Sequence, residues 1–244
     1  MSGALRTAHP PFAAVLFDCD GVLVDSETIT IRVLAEMLRE LGWEISYEET
    51  VRTFIGRALV DEWEVILANT GFRITDAWVH EFHVRRDDAL RAGVQPMPGA
   101  ERMLAAVAER FGDRIALASG ADRVKIAMQL EVTGLGRWFG DRVFSGMELA
   151  ASKPAPDVYL AAAAALGVDP ADALVVEDTV AGVTAGIAAG ATVFGFSTGS
   201  AVSTPPEALR GAGASLVCSS LEELPGLIDA YAMRERSNAS RLMP

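Results

Sequence analysis

Short runs of consecutive apolar residues alternate with alanine-rich stretches along most of this chain. The run Ala13-Ala14-Val15-Leu16-Phe17 ends abruptly in Asp18-Cys19-Asp20-Gly21, which predicts a buried strand stopping at a polar loop. Similar runs stand at 115–118, 142–144, 173–176, 192–196 and 215–218. Helical stretches at 100–110, 122–133, 157–166 and 180–189 separate most of them. Strands without in–out alternation, taking turns with helices, predict an α/β fold: a doubly wound parallel sheet covered on both faces.

Residues 28–92 carry a different pattern. Ile29, Val33, Met37, Leu38 and Leu41 recur at helical spacing until Gly42, a residue suited to ending a helix. Ser46 followed by Glu49 predicts a capping box on a second helix. A third is predicted at 59–68, closed by Gly71, and a fourth at 76–91, with no strand candidate among them. The pattern therefore divides the chain into an α/β core (12–26 and 95–232) and an inserted four-helix cap (27–94). Hinges are expected at 24–27 and 93–98. Residues 1–11 and 233–244 read as flexible termini, the second a polar tail with no apolar period.

Composition narrows the role. Half of the 244 residues are hydrophobic, and 21 Lys and Arg against 33 Asp and Glu leave a net charge of −12. So acidic a surface repels phosphate backbones and anionic lipid, so neither a nucleic acid nor a membrane is expected as partner. No apolar run approaches a membrane span. Cys19 and Cys218 are the only cysteines, which fits a reducing, cytoplasmic location. A monomer is expected. Only two of the basic residues are lysines, Lys125 and Lys153.

Polar residues follow the apolar runs at four places. Asp18 and Asp20 flank Cys19, and in extended chain residues two apart project to one side. Two carboxylates so placed divide into one ionised and one protonated group, or share a divalent cation. Glu177-Asp178 directly follows 173–176 and repeats the acidic pair. Lys153, followed by Pro154 and Pro156, is held on a loop that cannot be helix interior. Ser119-Gly120 offers a hydroxyl and a bare amide to a phosphate oxygen. Each segment alone also fits an ordinary turn, a helix cap or a surface side chain. Together, at the strand ends of one sheet, they are the parts of a phosphoryl-transfer site with an aspartate nucleophile.

The segment Asp18-Cys19-Asp20-Gly21-Val22-Leu23-Val24-Asp25-Ser26-Glu27 resembles the first motif of the haloacid dehalogenase-like superfamily. Ser119, Lys153-Pro154 and Glu177-Asp178 resemble its second, third and fourth motifs, in order, and the likeness spans about residues 12–228. The helical insert resembles the C1 cap of the phosphoglycolate phosphatase and β-phosphoglucomutase branch. The resemblance implies a Rossmann-like core in which Asp18 attacks phosphorus. Asp20 would protonate the leaving oxygen and then deprotonate water. Mg²⁺ would be held by Asp18, the carbonyl of Asp20 and Asp178, with Glu177 a ligand or the neighbour of one. Ser119, Gly120 and Lys153 would grip the phosphoryl oxygens, and the Lys153–Pro154 bond is expected cis. In the cap, Gly56-Arg57 resembles the loop this branch lowers onto its substrate, a small phosphorylated metabolite.

Departures from the family's patterns choose among its chemistries. Asp20 and Glu177-Asp178 argue against a dehalogenase, which needs neither a metal nor a second aspartate. Phosphonate cleavage uses a cap lysine, and 28–92 contains none. A mutase of the β-phosphoglucomutase type is the alternative. It carries a hinge histidine where this chain has Thr30 and a cap arginine where it has Leu59, and both departures favour a phosphatase. A phosphoaspartate receiver domain is a remote alternative, because receivers place their lysine after the acidic residues and lack the insert.

Overall fold

The structure, a computed structural model, describes residues 12–55 and 59–242. Six strands, β1 (Ala14–Phe17), β2 (Ile115–Ser119), β3 (Val143–Ser145), β4 (Ala173–Glu177), β5 (Thr192–Phe196) and β6 (Leu216–Cys218), form one sheet in the order β3-β2-β1-β4-β5-β6. Every pairing is parallel. The predicted fold class is therefore the observed one. β1, β2 and β4 are buried along their whole length, and their alternate residues fill two separate cores. Val15, Phe17, Ile115, Leu117, Leu174 and Val176 face α5 (Ala100–Phe111), α6 (Arg123–Thr133) and α10 (Leu224–Leu242). Leu16, Ala116, Ala118, Ala173 and Val175 face α7 (Asp157–Ala165), α8 (Val180–Ala188) and α9 (Pro206–Gly211). Burial on both faces is why these strands read as unbroken apolar runs.

The chain leaves the sheet after β1 for four helices: α1 (Glu27–Glu40), α2 (Tyr47–Phe54), α3 (Trp63–Thr70) and α4 (Asp76–Gly93). These share a third apolar core built on Leu34, Met37, Leu38, Phe54, Ile66 and Phe82. Ser46 and Glu49 form the predicted capping box. The helix expected at 59–68 is instead a 3₁₀ turn, Leu59–Glu62, leading into α3, because Glu62 (φ −95°, ψ 17°) departs from α geometry. Entry and exit of this insert lie side by side: the Asp25 amide donates to the Gln95 carbonyl at 2.9 Å and the Met97 amide to the Leu23 carbonyl at 2.8 Å.

The tail expected at 233–244 is helical as far as Leu242, as the end of α10. Methionine, arginine and glutamate after Ala232 are good helix formers, and extending an existing helix escapes the cost of nucleation. Among the described residues no helix is long and apolar enough to cross a membrane. Residues 1–11 lie outside the described residues.

Candidate active site

The C-terminal ends of β1, β2 and β4 open on one cavity of about 280 Å³, lined by Asp18, Asp20, Ser119, Gly120, Lys153 and Asp178 among others. The sheet order reverses at β1, so the crevice lies where open α/β sheets bind ligands. Asp18 continues β1, its amide donating to the Val176 carbonyl at 3.0 Å. Lys153, on the loop before α7 and joined to Pro154 by a cis bond, reaches across β2. Its Nζ donates to Asp18 Oδ1 at 2.5 Å, Glu177 Oε1 at 2.7 Å and the Ala118 carbonyl at 3.0 Å.

Glu177 is almost wholly buried and completely satisfied. Oε1 accepts from Lys153 and from the Tyr159 hydroxyl at 3.0 Å. Oε2 accepts from the Thr179 amide at 2.9 Å and the Thr179 hydroxyl at 3.0 Å. Thr179 also caps α8, its hydroxyl accepting from the Gly182 amide. A Cβ on Gly182 would lie 1.6 Å from Glu177 Oε1, so the glycine is the space the carboxylate occupies.

Asp178 contrasts with its neighbour: its Oδ1 is buried with no hydrogen-bond partner. Gly21 (φ +78°) lets the loop after β1 pass so close that a Cβ there would lie 2.0 Å from Asp178 Oδ2. Ligand atoms of Asp18, Glu177 and Asp178 lie within 4.8 Å of one another. An orphaned buried oxygen beside two further carboxylates is costly unless a cation completes it, and an all-oxygen donor set suits a hard divalent ion.

The charges strain against one another. Burial pushes the Asp18 carboxyl up to about 7, against the pull of the Lys153 ammonium. Burial, then the charges of Glu177 and Asp18, hold Asp178 well above the usual carboxylate range. For Lys153 burial acts downward, but the two carboxylates outweigh it and hold the ammonium well above its ordinary value.

Asp20 has its own partners. Lys125 Nζ donates to both its oxygens, at 3.0 and 2.9 Å, Gln129 Nε2 to Oδ1 at 2.7 Å and the Ser26 hydroxyl to Oδ1 at 2.5 Å. Burial alone would raise this carboxyl, but those donors, Lys125 foremost, lower it. Ser119 is buried, and its Oγ accepts from the Ala121 amide at 3.0 Å, closing the turn that holds Gly120.

Asp18, Asp20, Ser119, Gly120, Lys153, Glu177 and Asp178, predicted from separate strand ends, thus meet in one place. Gly56 and Arg57 lie outside the described residues. Sequence reasoning passed over Lys125, Gln129, Tyr159 and Gly182, and placed Ser26 in the first motif without giving it a role. The one signal for the other four was that Lys125 is one of only two lysines.

Such a crevice is suited to hydrolysis at phosphorus, and the chain is an enzyme of the phosphatase class. It belongs to the haloacid dehalogenase-like hydrolase family, which it matches over residues 12–190. It is similar to the 6-phosphogluconate phosphatase of Escherichia coli, at 32% identity over 75% of this chain and 81% of that protein. The plasmid phosphoglycolate phosphatase of Cupriavidus necator is 34% identical over 92% of this chain and 96% of its own. A crystal structure of a haloacid dehalogenase family hydrolase from Deinococcus radiodurans, with bound phosphate and sodium, matches with a TM-score of 0.78 at 32% identity, over 91% of this chain and 98% of that one.

Proposed function

We propose that the enzyme hydrolyses a small phosphorylated metabolite, a sugar or sugar-acid phosphate, through an aspartyl phosphate on Asp18, with Mg²⁺ as its cofactor. The observation that carries this reading is the buried Asp18 carboxylate, held by Lys153 beside the unpartnered oxygen of Asp178. The named activities of the Escherichia coli and Cupriavidus proteins support the substrate class.

Asp18 attacks phosphorus while Ser119, the Gly120 amide and Lys153 hold the phosphoryl oxygens. Asp20 gives a proton to the leaving oxygen, then takes one from the water that splits the acyl phosphate. Asp18, the Asp20 carbonyl and Asp178 would hold the cation, which supplies charge neutralisation at the phosphoryl group. Glu177, whose oxygens already accept from four donors, anchors Lys153 beside that set. Helices α1–α4 act as the cap over the leaving group. Thr30 donates its hydroxyl to the Ser26 carbonyl and Leu59 packs on the insert's apolar core, so neither replaces the mutase residues, which favours water as acceptor.

The test is phosphate release from hexose phosphates, hexitol phosphates, 6-phosphogluconate and phosphoglycolate, with Mg²⁺ and with chelator. Magnesium-dependent release from some of these is expected. Interconversion of hexose phosphates without release would make it a mutase, and release indifferent to chelator would remove the metal.

The proton held at Asp18 below about pH 7 and the one that the raised Asp178 carboxyl retains must leave when the cation binds. Mg²⁺ affinity is therefore expected to weaken as pH falls from about 8 to about 6, by up to about tenfold per unit for each proton displaced. Calorimetric titration at the two pH values checks this; equal affinity would show that the carboxylates are already ionised.

A further inference from the structure

We propose that Lys125 and Gln129, one turn apart on α6, are positioning residues that hold the Asp20 carboxylate at the angle its two proton transfers require. This rests on the phosphatase reading and extends it to residues that no motif contains.

The geometry is specific. Lys125 contacts both oxygens of Asp20, and the pair is mostly buried, the side chains 12% and 20% exposed. A buried ion pair adds little net stability over apolar side chains of like size, so stability alone gives this one no purpose. Gln129 is wholly buried on the helix face that supplies Ile126 and Leu130 to the core. There an amide is costly unless both ends are bonded. Its Oε1 accepts from the Cys19 thiol at 3.7 Å, which turns its Nε2 toward Asp20. A leucine would fill the same space and hold nothing.

The anchorage is rigid. The Asp122 carboxylate caps α6 through the Lys125 amide at 2.9 Å, and Arg123 clasps Glu148. Only Ala121 and Asp122 separate this helix from the Ser119-Gly120 turn. One strand–turn–helix unit thus fixes both the grip on phosphate and the direction of the acid–base group.

Both half-reactions depend on that direction. In the first, Asp20, ionised at rest, takes the proton of the incoming phosphate monoanion and passes it to the leaving oxygen as the Asp18 oxygen–phosphorus bond forms and the bond to that oxygen breaks. In the second, water oxygen bonds to phosphorus, the Asp18 bond breaks, and Asp20 takes the water's proton and gives it up with the departing phosphate. The sum is ester plus water giving alcohol plus phosphate.

The test compares an alkyl phosphate that the wild type hydrolyses with p-nitrophenyl phosphate, whose leaving group departs without a proton. Lys125→Met is expected to lower kcat on the alkyl phosphate about 100-fold with KM within about threefold. On p-nitrophenyl phosphate it should release about one nitrophenolate per enzyme rapidly and then turn over slowly, because only the second step still needs Asp20. Gln129→Leu should show the same pattern more weakly, and serves if Lys125→Met does not fold. Lys125→Arg, which keeps the donors and the charge, should recover most of the rate.

Wild-type kinetics in both variants, or equal losses on both substrates with no burst, would overturn the positioning role and leave the phosphatase intact. A wild type that releases phosphate from no alkyl phosphate tried, nor from p-nitrophenyl phosphate, overturns both readings.

Discussion

Asp18→Asn is expected to abolish turnover, by a factor on the order of 10⁴ or more, without unfolding the protein. The amide presents no anionic oxygen to phosphorus, and no other described carboxylate is both gripped by Lys153 and set at the end of β1. The sign of the stability effect separates loss of chemistry from loss of fold. A carboxyl whose pKa is raised on folding, here from 3.8 to about 7, binds its proton more tightly in the folded state. Its contribution therefore falls as pH rises through that window, and above about 7 its ionisation opposes folding. The asparagine carries no such charge, and Lys153 keeps Glu177 and the Ala118 carbonyl. In metal-free buffer above pH 7 the variant should melt at or above the wild-type Tm. A Tm well below it would mean that Asp18 holds the network together, and the lost rate could not be assigned to the nucleophile.

Gly182→Ala should reverse the usual rule for helices. Alanine in place of glycine inside a helix ordinarily stabilises by about 1 kcal/mol. Here the added methyl would meet a carboxylate at 1.6 Å, and that carboxylate is buried with four donors around it. Displacing it leaves Lys153, Tyr159 and Thr179 with broken bonds in the interior, where parting one member of a buried pair costs about 3–5 kcal/mol. The penalty wins, for a net loss of roughly 2–4 kcal/mol, and activity should fall with it because Lys153 loses an anchor. Gly226→Ala is the control: it lies in α10 with nothing within 4 Å of the new methyl, so it should be neutral or stabilising. Denaturant unfolding of the two variants should show opposite signs; a stabilised Gly182→Ala would mean that Glu177 can relax at no cost.

What could be read from the chain was whatever is local. Capping of α2 needs only Ser46 and Glu49, three residues apart, and the pattern held both. Strands β1, β2 and β4 announce themselves because burial on both faces keeps them apolar until their C-terminal ends. Strand ends then marked Asp18, Ser119 and Glu177-Asp178. The sheet order has no such local trace, since β1 pairs with strands beginning at Ile115 and Ala173. Contacts across that distance stayed hidden too. Lys125 meets Asp20 from 105 residues away, and Gln129 looked like one more polar position on a helix of weak periodicity. Gly182 and Tyr159 lay inside alanine-rich helices, where a residue's space and a hydroxyl's aim leave no mark on the pattern. The 3₁₀ start before α3 and the helical extension to Leu242 depend on backbone angles and on continuity with a folded neighbour, which composition does not report.

The adjacency of Leu23–Asp25 with Gln95–Met97 has a consequence in polymer terms. To the sheet, everything between these two segments is a loop whose ends are already tied together. The entropy of closing such a loop grows only with the logarithm of its length, about 0.6 kcal/mol for a doubling. The core is therefore nearly blind to how long the excursion is or what it folds into, provided its first and last residues keep their hydrogen bonds. Insertions, deletions or wholesale exchange of the segment can alter what reaches the crevice while β1 and its neighbours keep the same register.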